Sequence, residues 1–158
     1  MHCPDTSFLC ALYRQQIHSE SAVATLEAIG GPLVISSLLA YEFRQAVRFH
    51  VFLRSRDARK GYSETEGLMM LAQFENDLES GVLIEAVANG SEVAAIVERL
   101  SESHTMKRGT RAFDLLHVAA ALHWGASVFL RFDGLQRDIA ALEGLNVLPA
   151  REIKQDAG

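Results

Sequence analysis

Four short apolar runs, separated by helical patterns, constrain the fold of this chain more than any other feature. They are PLVIS (32–36), GVLIEAV (81–87), ASVFLRF (126–132) and LNVLP (145–149), each close to turn punctuation such as Gly30-Gly31-Pro32, Gly81, Gly125 and Gly144. Runs of this length suit buried strands. Between them, ALYRQQ (11–16), SAVATLEAI (21–29), SLLAYEFRQAVRFHVFL (37–53), ETEGLMMLAQFENDL (64–78), SEVAAIVERLSE (91–102) and TRAFDLLHVAAALHW (110–124) carry helical patterns. Ser91 is the expected cap of the fifth of these, and Gly109 or Thr110 the expected start of the sixth. Strands alternating with helices predict an α/β fold with a mostly parallel sheet covered on both faces. The residues before Asp5 must then supply the first strand. Pro4 is awkward there, because proline donates nothing to a sheet ladder and is expected at an edge.

At 158 residues the chain fits one domain, read as 1–150, with a short polar tail at 151–158. The formal net charge of −5 argues against a simple polycation that coats nucleic acid. An enzyme that binds metal through carboxylates remains compatible with it. Cys3 and Cys10 lack the spacing of a zinc site or a disulfide framework, which favours a reducing, cytoplasmic setting. The longest uncharged run, 115–130, is too short to span a bilayer, so no membrane association is expected.

Four acids stand where acids are costly. Asp5 closes the first strand and precedes the apolar SFLCALY, where an Asp helix cap is the plainest explanation. Glu42 borders the stripe made by Leu39, Phe43, Ala46 and Val47. Asp114 lies in or near the first turn of a helix with almost no polar face, where an unpaired carboxylate costs several kcal/mol. Asp133 ends an apolar strand just before Gly134, a position that also suits a turn. Three of the four sit at a strand end or a helix start, where a parallel sheet places its site. Carboxylates gathered together repel, and a hard cation such as Mg²⁺ or Mn²⁺ relieves that repulsion. The chemistry so implied is metal-assisted attack of water on a phosphodiester.

DTSFL at the start, LLAYEF after the second strand, RAFDLLHVAAAL late in the chain and VFLRFDGLQRDIAALEGLNVLP at the end resemble the PIN-domain ribonucleases. The likeness is strongest to the VapC-type toxins of bacterial toxin–antitoxin pairs. It covers nearly the whole chain, and Asp-Leu-Leu-His-x-Ala-x-Ala-Leu is its most specific part. The resemblance implies an α/β/α sandwich, a Mg²⁺- or Mn²⁺-dependent endoribonuclease, and products with a 3′-hydroxyl and a 5′-phosphate. It implies Asp5, Glu42, Asp114 and Asp133 as the acidic, metal-holding set, with Ser7 and His117 orienting the site. It also implies a small antitoxin partner and a homodimer. One departure stands out. Two residues before the fourth acid the family usually has a small hydroxyl residue, and here that residue is Arg131.

Charge is unevenly spread. Six bases against Asp57 alone lie between Arg44 and Lys60, and five acids with no base between Glu64 and Glu79. Arg44 and Arg48, four residues apart, together with Arg108, Arg111 and Arg131, are the candidate RNA-phosphate contacts. Two rivals to a toxin remain on sequence grounds: a PIN-like binding module without catalysis, and a PIN nuclease of RNA processing. No P-loop or dinucleotide fingerprint is present.

Overall fold

The computed structural model describes residues 1–14, 17–132 and 134–150. The elements run β1 (His2–Pro4), α1 (Thr6–Tyr13), α2 (Ser19–Ile29), β2 (Leu33–Ile35), α3 (Ser37–Arg56), α4 (Glu64–Ser80), β3 (Leu83–Glu85), α5 (Gly90–Arg108), α6 (Ala112–His123), β4 (Val128–Leu130), α7 (Leu135–Leu142) and β5 (Asn146–Leu148). The strands form one parallel sheet in the order β3-β2-β1-β4-β5. All four apolar runs and the pre-Asp5 residues are therefore strands. The proposed tail, 151–158, lies outside the described residues.

Strand alternation divides the core into two layers. Leu33, Ile35, Leu83, Val128 and Leu130 pack with Phe8, Phe43, Met70 and Phe74 of α1, α3 and α4. Cys3, Val34 and Phe129 pack with Val93, Leu100, Leu115, Val118 and Ile139 of α5, α6 and α7. The result is the three-layer α/β/α sandwich. No described helix is long and apolar enough to cross a membrane.

Three local expectations are corrected. Pro4 is not at an edge: β1 is the central strand. Along a parallel strand, successive residues bond to opposite neighbours. Asp5 N donates to Leu130 O of β4 (3.0 Å), so the missing Pro4 N–H lies on the β2 side, where the register is His2↔Leu33. The cap of α5 is Asn89 rather than Ser91. Its side chain accepts from the backbone of Ser91 and Glu92, and a shorter, flexible Ser Oγ at 91 instead donates to Asn89. Gly109 does not start α6. It ends α5, which runs on to Arg108, by adopting a left-handed conformation (φ 67°) that suits glycine. A helix over 135–142 was not anticipated.

The strand order reverses between β1 and β4, whose carboxyl ends adjoin. This is the switch point at which open parallel sheets place their sites. Asp5 leaves β1 there and Arg131 leaves β4.

Candidate active site

Asp5 is both a helix cap and a site residue. Its backbone is extended (φ −101°, ψ 175°) and its Oδ1 accepts from Phe8 N at 2.8 Å, the N-cap geometry of α1. Ser7 Oγ lies 2.9 Å and 3.0 Å from the two carboxylate oxygens. Arg131 donates from Nη1 to Oδ2. The Asp5 side chain is 1% exposed, so these partners carry almost all of its solvation.

Glu42 projects from α3, beside the buried Leu39 and Phe43. Thr6 Oγ1 donates to Glu42 Oε2, and His117 Nε2 lies 2.6 Å from the same oxygen. A carboxylate only accepts, so Nε2 is the nitrogen of His117 that carries hydrogen. Burial pushes the Glu42 carboxyl up, but the His117 and Thr6 hydrogen bonds outweigh it and hold the group below its ordinary range. His117 is itself buried, one turn after Asp114 on α6. The structure thus joins α1, α3 and α6 at Glu42.

Asp114 occupies the first turn of α6, as the sequence suggests. It does not serve as a cap, and its carboxylate accepts no hydrogen bond from the described residues. Burial raises its pKa. Arg131 pulls the other way, while the nearby charges of Asp5 and Glu42 add to the rise. Asp5, Glu42 and Asp114 therefore feel one another, and Arg131 faces both Glu42 and Asp114. Asp133 lies outside the described residues.

Three site residues escaped the sequence reading. Gln136 (1% exposed) accepts from Arg131 Nη1 at 2.9 Å and donates to the Asp114 carbonyl at 3.0 Å. Arg137, also buried, donates to the carbonyls of Arg131 (2.6 Å), Phe132 (3.2 Å) and Val147 (3.2 Å). Together they fix the chain that carries Arg131 and tie it to the start of α6. Thr6 was likewise missed, although it stands between the quoted Asp5 and Ser7.

An open cleft of about 660 Å³ runs from this cluster. Asp114, Arg131, Arg111 and Thr6 line it, as do Ala46 and His50 of α3 and Tyr62. Of the candidate RNA-contacting arginines, Arg111 and Arg131 line it. Arg108 is exposed in the last turn of α5, next to the lining residue Gly109. Arg44 is instead paired with Glu75 of α4 (Nε–Oε1, 2.9 Å), with its guanidinium over Phe74. Arg48 lines a separate groove between α3 and α4. Arg59 and Lys60 both lie on Asp57. Three of the six bases at 44–60 are thus paired within the protein, one of them with the acidic α4.

Among the described residues, no three His, Cys, Asp or Glu side chains form a ready cage for a metal ion. The donor chemistry nonetheless fits a hard divalent cation. Asp114 offers an unbonded carboxylate whose pKa is raised chiefly by burial, with the charges of Asp5 and Glu42 adding to the rise, and a bound cation would favour its ionised form. Arg131 supplies part of that positive charge now. A metal at Asp5 would share or compete for this carboxylate with the Arg131 guanidinium.

The PIN domain family model matches residues 2–142. The chain belongs to the PIN-domain family. No curated protein matches it. Solved structures with the same fold include FitAcB from Neisseria gonorrhoeae (TM-score 0.60, 18% identity, covering 94% of this chain and 97% of that one). VapBC2 from Rickettsia felis, bound to a DNA fragment from its promoter, aligns with TM-score 0.61 and 16% identity, covering 92% and 96%. VapC20 from Mycobacterium tuberculosis, a toxin that cleaves the sarcin-ricin loop, aligns with TM-score 0.58 and 20% identity, covering 94% and 100%.

Proposed function

We propose that this PIN domain is a Mg²⁺- or Mn²⁺-dependent endoribonuclease and the toxin of a toxin–antitoxin pair. The observation that carries the nuclease reading is the meeting of Asp5, Glu42 and Asp114 at the β1/β4 switch point, beside a cleft lined by Asp114, Arg111 and Arg131. Asp5, Glu42 and Asp114, with Asp133, would hold the ion. When bound, such an ion lowers the pKa of water and offsets charge on the phosphate.

The chain's own residues set the rest. Ser7 and Phe8 N–H orient Asp5, and Thr6 and His117 orient Glu42, so neither carboxylate must reorganise when substrate enters. One of the carboxylates would accept a proton from the attacking water. Arg111 and Arg131 lie on the cleft wall where a phosphate would approach.

The toxin role draws on the resemblance and on VapC20, whose own description is that of an RNA-cleaving toxin. Exposed Tyr41, Phe49 and Phe52 on α3 and Leu68 and Met69 on α4 give apolar surface for an antitoxin or a second copy of the chain. A cytoplasmic location follows from that role.

One observation favours a second reading, a PIN-like module without catalysis: Arg131 already sits on Asp5. Incubating purified protein with labelled cellular RNA separates the two. A nuclease produces cuts in Mg²⁺ that vanish in EDTA and in Asp5→Asn. Cleavage that survives either treatment contradicts the metal mechanism, and no cleavage under any metal supports the inactive module. Mapping the ends of the wild-type products identifies the target.

A further inference from the structure

The cleft has a second chemical character along α3. Glu42, Ala46 and His50 follow one another at four-residue spacing on α3, and Ala46 and His50 line the cleft, with His50 about 12 Å along the helix from Glu42. The His50 ring is stacked on Tyr62, with centroids 4.6 Å apart and planes 16° apart. Tyr62 is buried, His50 is half-buried, and both line the cleft. Arg14 lies over the Tyr62 ring as well, at 4.4 Å from its centroid.

This stack is built rather than incidental. Tyr62 N donates to the His50 carbonyl at 3.1 Å. Gly61, at φ +67°, brings the chain so close that a Cβ there would meet the His50 carbonyl oxygen at 1.9 Å. Only glycine permits that approach. The backbone of 61–62 is thus docked directly on the helix turn that carries the histidine.

The wall is also neutral. His50 Nδ1 is buried and has no hydrogen-bond partner among the described residues. Burial and the Arg14 charge both lower the His50 pKa. Burial pushes Cys10 and Tyr62, hydrogen-bonded to each other, up to about 12. A neutral aromatic ring attracts a base plane more than a phosphate, and RNA-binding proteins stack unpaired bases on such rings, histidine included.

We propose that His50, backed by Tyr62 and docked by Gly61, is a stacking platform for one unpaired nucleobase of a bound RNA. It lies along the cleft from the carboxylates. The inference rests on the ribonuclease reading and specifies it: the substrate is single-stranded at this position, and the platform tolerates any base.

The test is equilibrium binding of a short fluorescein-labelled single-stranded RNA to the full chain in EDTA, read by anisotropy, so that cleavage plays no part. The same RNA with abasic residues throughout serves as the second probe. His50→Ala is expected to weaken binding of normal RNA by about 5- to 150-fold. His50→Phe should keep most of the affinity, which also shows that the site folds. Abasic RNA should bind wild type and His50→Ala alike. Normal RNA binding His50→Ala within twofold of wild type overturns the platform. An equal loss of abasic RNA affinity also overturns it, since it marks His50 as a phosphate contact. Wild type with no affinity for RNA overturns the ribonuclease reading and the platform with it.

Discussion

Replacing Arg131 by serine is the most informative single change, because this arginine supplies positive charge where a metal would. In the metal-free protein its guanidinium donates to Asp5, whose side chain is 1% exposed, and to Gln136. Breaking a buried ion pair from one side costs roughly 3–5 kcal/mol. The low end applies here: Asp5 keeps the Phe8 N–H and Ser7 hydroxyl, and the Arg131 side chain is 22% exposed. About 3 kcal/mol corresponds to a fall in Tm of roughly 6–12 °C for a chain of this size. Coupling between arginine and metal is reciprocal. If both neutralise Asp5, the variant should bind Mn²⁺ up to about 100-fold more tightly than wild type, at ~1.4 kcal/mol per tenfold. The assay is thermal unfolding of both proteins in EDTA and across a MnCl₂ series. Arg131→Ser should start lower and gain more from Mn²⁺, closing the gap. Equal stability in EDTA, or equal gains from Mn²⁺, refutes the view that arginine and metal compete for one carboxylate.

Four further outcomes follow from particular contacts. Gln136→Ala removes hydrogen bonds to the Asp114 carbonyl and Arg131 in a buried setting, and should lower stability by about 2 kcal/mol in urea unfolding and reduce RNA cleavage. Gly61→Ala forces a strained left-handed residue against the His50 carbonyl, and should cost more than about 1 kcal/mol in the same measurement. Burial pushes the Cys3 and Cys10 thiols up to about 12, so both should resist a thiol reagent at pH 8 in native protein and react promptly in denaturant. Burial raises Glu143, but hydrogen bonds from His104 and Arg99 prevail and depress its pKa. Its contribution to stability is present above the ordinary carboxylate range and lost as pH falls through the depressed value. Glu143→Gln should therefore flatten the acid limb of a stability–pH curve.

The sequence exposes the acids because each stands against its surroundings. Asp114 in an almost wholly apolar helix and Asp5 at the end of a strand are conspicuous, and the sheet brings them together at its switch point. The residues that position them are not conspicuous. Helix α7 is short, and its buried side carries Gln136 and Arg137 beside Ile139 and Ala140. Leu135, Ile139 and Leu142 keep the helical spacing, so the helix itself is legible, but Gln136 and Arg137 read as its solvent face and only the packed structure shows them buried. Within the basic run at 44–60, sequence alone does not show which bases are already paired: the pairing of Arg44 with Glu75 depends on α3 packing against α4. Pro4 looked like an edge residue because sequence alone does not show which side of a central strand each N–H serves.

Asp5 between β1 and α1, Glu42 on α3 and Asp114 on α6 are proposed to form one divalent-cation site. Titrating Mn²⁺ into wild type, Asp5→Asn and Asp114→Asn by isothermal calorimetry tests it most directly, independently of any RNA. Wild type should bind saturably at micromolar to millimolar metal, and both variants should lose binding or weaken at least tenfold. Wild type that binds no Mn²⁺ in that range, or variants that bind as wild type does, would contradict it.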